Sequence, residues 1–284
     1  MIDARQAAYL QALGVDVYVP RGAPPLAAVD EPVVAVTGEP PPAVVPELRA
    51  VAAKPVRPAS RTAVETPVAP VVAAEPVAAT VVDGGPAVGE LDWPSLRAAV
   101  AACRRCELHA TRTQTVFGVG NTRARWMFIG EAPGQEEDRQ GEPFVGRAGQ
   151  LLNAMIRALG MQREDVYIAN VLKCRPPGNR DPRPAEAASC RAYLERQVAL
   201  VDPTLIIAVG RIAAQDLLMT ETPIAKLRGQ VHGFGAKGWP VIVTYHPAYL
   251  LRSPGEKRKA WQDLLFARQH FTRLEREAAG AGSA

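Results

Sequence analysis

The chain has 284 residues, 48% of them hydrophobic, a net charge of +4 and a pI near 9.0. That hydrophobic content excludes a wholly disordered chain, and the length allows one domain of roughly 150–200 residues plus a remainder. No apolar run reaches the roughly 18 residues that a membrane-spanning helix needs. The opening Met1-Ile2-Asp3-Ala4-Arg5 lacks the basic segment and apolar core of a secretory signal, so a cytoplasmic location is expected.

The first element in chain order is a short helix from Arg5, with Tyr9, Leu10 and Leu13 on one face and Gly14 as its stop. Tyr18 follows in an apolar tail. A helix this short is not stable alone in water, so residues 1–22 are expected to dock on a partner surface. Residues 23–90 then carry 13 of the chain's 26 prolines among Ala and Val, a density that prevents both helix and sheet. They are expected to be a disordered linker.

From Leu91 to about residue 278 the pattern becomes α/β, and residues 279–284 are expected to form a disordered tail. Four short apolar runs, Trp126–Ile129, Val166–Ala169, Leu205–Val209 and Val241–Thr244, read as buried parallel strands. Helical stretches separate them, including Gly149–Leu159, Ala185–Leu200 and Lys257–Glu277. This alternation predicts a three-layer α/β/α fold around a four-stranded, mainly parallel sheet. Sites in such folds gather at the carboxyl ends of the strands. Three of the four runs lead there into unusual polar sequence: Gly130-Glu131-Ala132-Pro133-Gly134, Asn170-Val171-Leu172-Lys173-Cys174 and Tyr245-His246-Pro247.

All four cysteines fall in this part of the chain: Cys103 and Cys106 two apart, then Cys174 and Cys190. In a reducing compartment such a set points to metal binding rather than disulfides. Zinc and a [4Fe–4S] cluster both accept four thiolates, and spacing alone favours neither.

Taken together, the motifs resemble those of family 4 uracil-DNA glycosylases. The stretch Gly130–Asp138 with Gly141–Gly149 is similar to the family's first motif, Asn170–Pro177 to its second block, and His246–Arg252 to its closing motif. The likeness covers about residues 91–275. It implies a monofunctional glycosidic hydrolase in base excision repair that acts on uracil-containing DNA. It also implies a [4Fe–4S] cluster on Cys103, Cys106, Cys174 and Cys190, and a nucleoid-associated location.

The residues suit that chemistry. Departure of the base leaves positive charge on the sugar and negative charge on the base. Phe144 is expected to stack on uracil, Asn170 to pair with its N3–H and O4 edge, and His246 to donate to O2 as charge develops there. The resemblance places Ala132 and Gly134 at the substrate, Glu137 in the wall that rejects the methyl of thymine, and Glu131 at the water or the sugar. Ala132 fills a slot where many other uracil glycosylases carry a water-activating Asp. For DNA, Gly146 and Gly149 are expected to offer N–H groups to phosphate. Arg175 and Arg252 are expected to add positive charge, and Leu250 to act as a wedge in the base stack. The rival reading is a non-catalytic, replication-associated DNA-binding protein on the same fold. Leu10–Val15, with Tyr18, resembles the N-terminal peptide of the psi subunit of the bacterial DNA polymerase III clamp loader, so that complex is the expected partner of residues 1–22.

Overall fold

A computed structural model describes residues 87–281. The docking peptide expected at 1–22, the linker up to residue 86 and residues 282–284 lie outside the described residues.

The sheet has six strands: β1 (Val119–Gly120), β2 (Trp126–Gly130), β3 (Tyr167–Asn170), β4 (Leu205–Val209), β5 (Val231–Phe234) and β6 (Trp239–Thr244), in the order β1-β3-β2-β4-β6-β5. The inner four are parallel and contain the four apolar runs expected from sequence, except that β3 starts one residue later than the run Val166–Ala169. The two additional strands pair antiparallel at the edges. Neither carries an apolar run, because β1 has only two residues and β5 is largely exposed.

Side chains alternate across the inner strands. Met127, Ile129, Ile206, Ala208, Val241 and Val243 pack on one face with Leu194 and Val198 of the helix Pro184–Val201. Phe128, Ile168, Ile207, Val209 and Ile242 pack on the other with Leu152 and Ile156 of Arg147–Ala158, and with Trp261 and Leu264 of Lys257–Ala281. This is the expected three-layer arrangement. A third cluster, Leu96, Val100, Phe117 and Tyr193, anchors the helix Trp93–Ala102. Val88 packs on it from the short 3-10 turn Val88–Glu90, so ordered structure reaches back into the final residues assigned to the linker.

Candidate active site

The carboxyl ends of the four parallel strands open into a cleft of about 750 Å³. At the end of β2, Gly130 is the floor. A Cβ there would lie 2.5 Å from Asn170 Oδ1 and 2.6 Å from Phe144 Cζ, so the missing side chain is what lets both groups lie over the strand. Asn170, the last residue of β3, is 2% exposed, and its Oδ1 has no hydrogen-bond partner among the described residues. A buried acceptor without a donor is costly, and this one lines the cleft. The Asn170 carbonyl is held from behind by the buried Lys173, whose Nζ donates to it at 2.7 Å.

The Phe144 ring lies 5.6 Å from that of His246, tilted by 32°. Phe144 has φ 54°, an unfavourable region for a bulky residue. Arg163 braces it, donating from Nη2 to the Pro143 carbonyl at 2.6 Å and from Nη1 to the Phe144 carbonyl at 3.4 Å. His246 follows β6 and caps the helix Pro247–Arg252, its Nδ1 accepting from the Ala248 N–H at 3.1 Å. Burial, helped by the nearby Arg252 charge and opposed by Glu137, lowers its pKa to about 4. The imidazole is therefore neutral at physiological pH. With Nδ1 accepting, its proton sits on Nε2, ready to donate.

Glu131 lines the cleft one residue beyond β2. Desolvation, reinforced by the negative charge of Asp181 and opposed by Arg211, raises its pKa to about 7. Arg211 Nη2 donates to Asp181 Oδ2 at 2.7 Å, which ties the loop between Cys174 and Cys190 to the end of β4. Sequence reasoning missed both residues, since neither belongs to a motif and their pairing spans 30 positions. It also missed Gly210, with φ 101°, where a Cβ would meet the His246 side chain at 2.9 Å.

The other expected contacts fall in different places. Glu137 Oε1 accepts from the N–H groups of Val145 and Gly146 at 3.0 and 3.1 Å, so it braces the Phe144 loop and occupies the N–H that was expected to hold phosphate. Ala132 and Gly134 line the cleft. A Cβ at Gly134 would stand 2.7 Å from Glu137 Oε2, so that carboxylate would have to shift. Gly149 is buried, and a Cβ there would overlap the Phe144 carbonyl oxygen at 1.8 Å, so close packing requires glycine at this position. Arg175 is half-buried and donates from Nε to Asn179 Oδ1 at 2.7 Å; it does not line the cleft. Arg252 is exposed at the cleft rim. The wedge expected at Leu250 is corrected. That side chain is 1% exposed in the core, and the exposed apolar residues of the same helix are Tyr249 and Leu251.

A second, small cavity is lined by Cys103, Cys106, Cys174 and Cys190 together, with His109, Arg112 and Lys173. Arg112 Nη1 donates to Cys174 Sγ at 3.0 Å, and the Lys173 N–H to Cys190 Sγ at 3.4 Å. Burial pushes the Cys190 thiol up to about 12 and also raises Cys106 and Cys174. Among the described residues, no three His, Cys, Asp or Glu side chains are arranged to hold a lone metal ion.

The profile of the Uracil DNA glycosylase superfamily matches residues 117–265. The type-4 uracil-DNA glycosylase of Archaeoglobus fulgidus is 48% identical over 161 residues, which are 55% of this chain and 81% of that protein. The type-4 enzyme of Thermotoga maritima is 47% identical over 156 residues, 54% of this chain and 80% of that protein. A type-5 uracil-DNA glycosylase of Pyrobaculum aerophilum is 31% identical over 173 residues, 55% of this chain and 75% of that protein. The chain belongs to the uracil DNA glycosylase superfamily, with the type-4 proteins. The span matched by the superfamily contains Glu131, Phe144, Asn170, Arg211 and His246, together with Cys174 and Cys190. Cys103 and Cys106 precede it and reach the cysteine cavity from the loop after Trp93–Ala102.

Proposed function

We propose that this cleft hydrolyses the N-glycosidic bond of uracil flipped out of DNA, leaving an abasic site. The observation that carries the reading is the partnerless Asn170 Oδ1, buried beside the Phe144 ring and the neutral His246. Uracil supplies the missing donor through N3–H, while cytosine presents an acceptor at N3 and leaves the Asn170 oxygen unpaired. A buried polar group left unpaired is the source of strong discrimination. Phe144 stacks on the base. His246 donates from Nε2 to O2 as negative charge builds, an interaction stronger in the transition state than in the ground state. Glu131, ionised above about pH 7, stabilises the cationic sugar or orients the attacking water. Glu137 shapes the pocket wall by fixing the Phe144 loop. Of the two exposed apolar residues beside Leu250, Leu251 takes the wedge role, and Arg252 holds a phosphate.

The cysteine cavity suits a [4Fe–4S] cluster. Four thiols from three separate segments share one wall, Cys174 and Cys190 buried and Cys103 and Cys106 half-buried, and N–H donors approach two of their sulfurs. Buried thiols whose ionisation costs this much become thiolates when metal compensates their charge. Such a cluster supplies a structural clip that fixes residues 175–183 beside the cleft. Purified under anaerobic conditions, the protein should be brown, with about four irons per chain. Stoichiometric zinc in colourless, active protein would defeat the cluster assignment.

The enzyme should create alkali-labile sites in uracil-containing oligonucleotides and none in cytosine or thymine controls. Metal-replete protein that leaves uracil untouched would refute the reading.

A further inference from the structure

The cleft is larger than one base requires. Pockets of about 300–1,000 Å³ hold drug-sized ligands, and a pyrimidine ring is a fraction of that size, whereas this cleft measures about 750 Å³. The strand order divides its wall. Asn170 and Glu131 stand at the ends of β3 and β2, while Ile212, Tyr245 and Tyr249 stand beyond the ends of β4 and β6. His246 also follows β6, and its ring meets that of Phe144. The uracil reading uses His246 and Arg252 from the second half and leaves Ile212, Tyr245 and Tyr249 without a role.

That second half is built as a supported aromatic surface. Asp263, 3% exposed, accepts from Arg228 Nε at 2.7 Å, from Arg228 Nη2 at 2.9 Å and from Thr244 Oγ1 at 2.9 Å. The Arg228 guanidinium, fixed by this ion pair, lies 4.4 Å over the centre of the Tyr245 ring. Tyr245 in turn backs Tyr249 at 5.2 Å. Tyr249 is 36% exposed at the cleft. A lone exposed aromatic needs no explanation. Here the exposed ring ends a chain of contacts that begins at a buried ion pair, so little ordering cost remains when a flat partner stacks on it.

We infer that this half of the cleft is a second nucleotide subsite, in which the base next to the flipped uridine on the same strand stacks on Tyr249. The inference rests on the uracil reading of the first half. The occupant follows from continuity, since a neighbouring nucleotide is covalently tied to the one in the pocket. It follows also from chemistry, since the Tyr249 ring offers a π-face and the adjacent Arg252 offers a positive charge to the connecting phosphate.

The test uses the full chain and single-stranded oligonucleotides that carry one uracil. The nucleotide on its 5′ or its 3′ side has either a normal base or an abasic spacer. On one side, the spacer should raise KM on the order of tenfold, the scale of one base–aromatic stack. In Tyr249→Ala that base-to-spacer ratio should collapse to within about twofold, and in Tyr249→Phe, which keeps the ring, it should persist. Equal KM values for base and spacer on both sides, in an enzyme that excises uracil, would overturn the subsite and leave the uracil reading standing. An unchanged ratio in Tyr249→Ala would overturn the assignment of Tyr249. Failure to excise uracil from every substrate would instead remove the proposed function itself.

Discussion

Glu131 shows how much of the site's chemistry is set by residues outside the motif that contains it. Its pKa of about 7 comes first from desolvation and then from Asp181, with Arg211 in opposition. If the carboxylate form works, kcat/KM should rise with pH along a limb centred near 7 and level off above it. His246, at about 4, stays neutral across that range and adds no limb. Asp181→Asn should move the Glu131 limb to lower pH and Arg211→Ala to higher pH, while Glu131→Gln should abolish it. The same shift acts on stability with a definite sign. A carboxyl group whose folded pKa exceeds its unfolded value near 4.5 stabilises the fold at low pH, and that contribution is lost as pH rises to about 7. Glu131→Gln should therefore melt higher than wild type at pH 8 and show little difference at pH 4. A profile flat between pH 6 and 8, or a variant less stable at pH 8, would remove Glu131 from this role.

Among the elements, those with a strong local pattern were legible and those defined by long-range contacts were not. The four parallel strands show as apolar runs because both of their faces are buried. The edge strands have no such signature. Asn170 and His246 were legible because polar sequence follows directly on a buried strand. Arg163, Gly210 and the Arg228–Asp263 pair were not, since their partners lie 19 to 36 residues away or at backbone positions with no pattern. The helix Pro247–Arg252 shows a finer failure. Its sequence permits Tyr249, Leu250 or Leu251 to face DNA, and only packing against Arg147–Ala158 and Lys257–Ala281 decides that Leu250 turns inward. Leu250→Ala should thus cost about 2–5 kcal/mol of stability. Leu251→Ala should change stability by less than about 0.5 kcal/mol and slow excision from duplex more than from single strands, because only the duplex must be unstacked. Equal losses on both substrates would argue against a wedge at Leu251.

For the whole molecule, every residue placed in the cleft or the cysteine cavity lies between Val100 and Arg252. The matched superfamily span lies at 117–265, so neither the cleft nor the family match accounts for the chain before residue 87. What singles out that stretch is its sequence, Leu10-Gln11-Ala12-Leu13-Gly14-Val15 with Tyr18, followed by proline-rich composition. The resemblance to the psi-subunit peptide motivates a division of labour in which residues 1–22 recruit the enzyme and the domain performs the chemistry. Removal of residues 1–86 should then leave kcat/KM on short oligonucleotides within about twofold of the full chain. A peptide of residues 1–22 should bind the clamp-loader complex at micromolar concentration, and Leu13→Ala or Tyr18→Ala should each weaken it by about tenfold or more, as expected when a buried apolar anchor is truncated. Calorimetry that detects no binding at micromolar concentration would end the recruitment proposal. The catalytic reading would be untouched, because no residue of the peptide enters it.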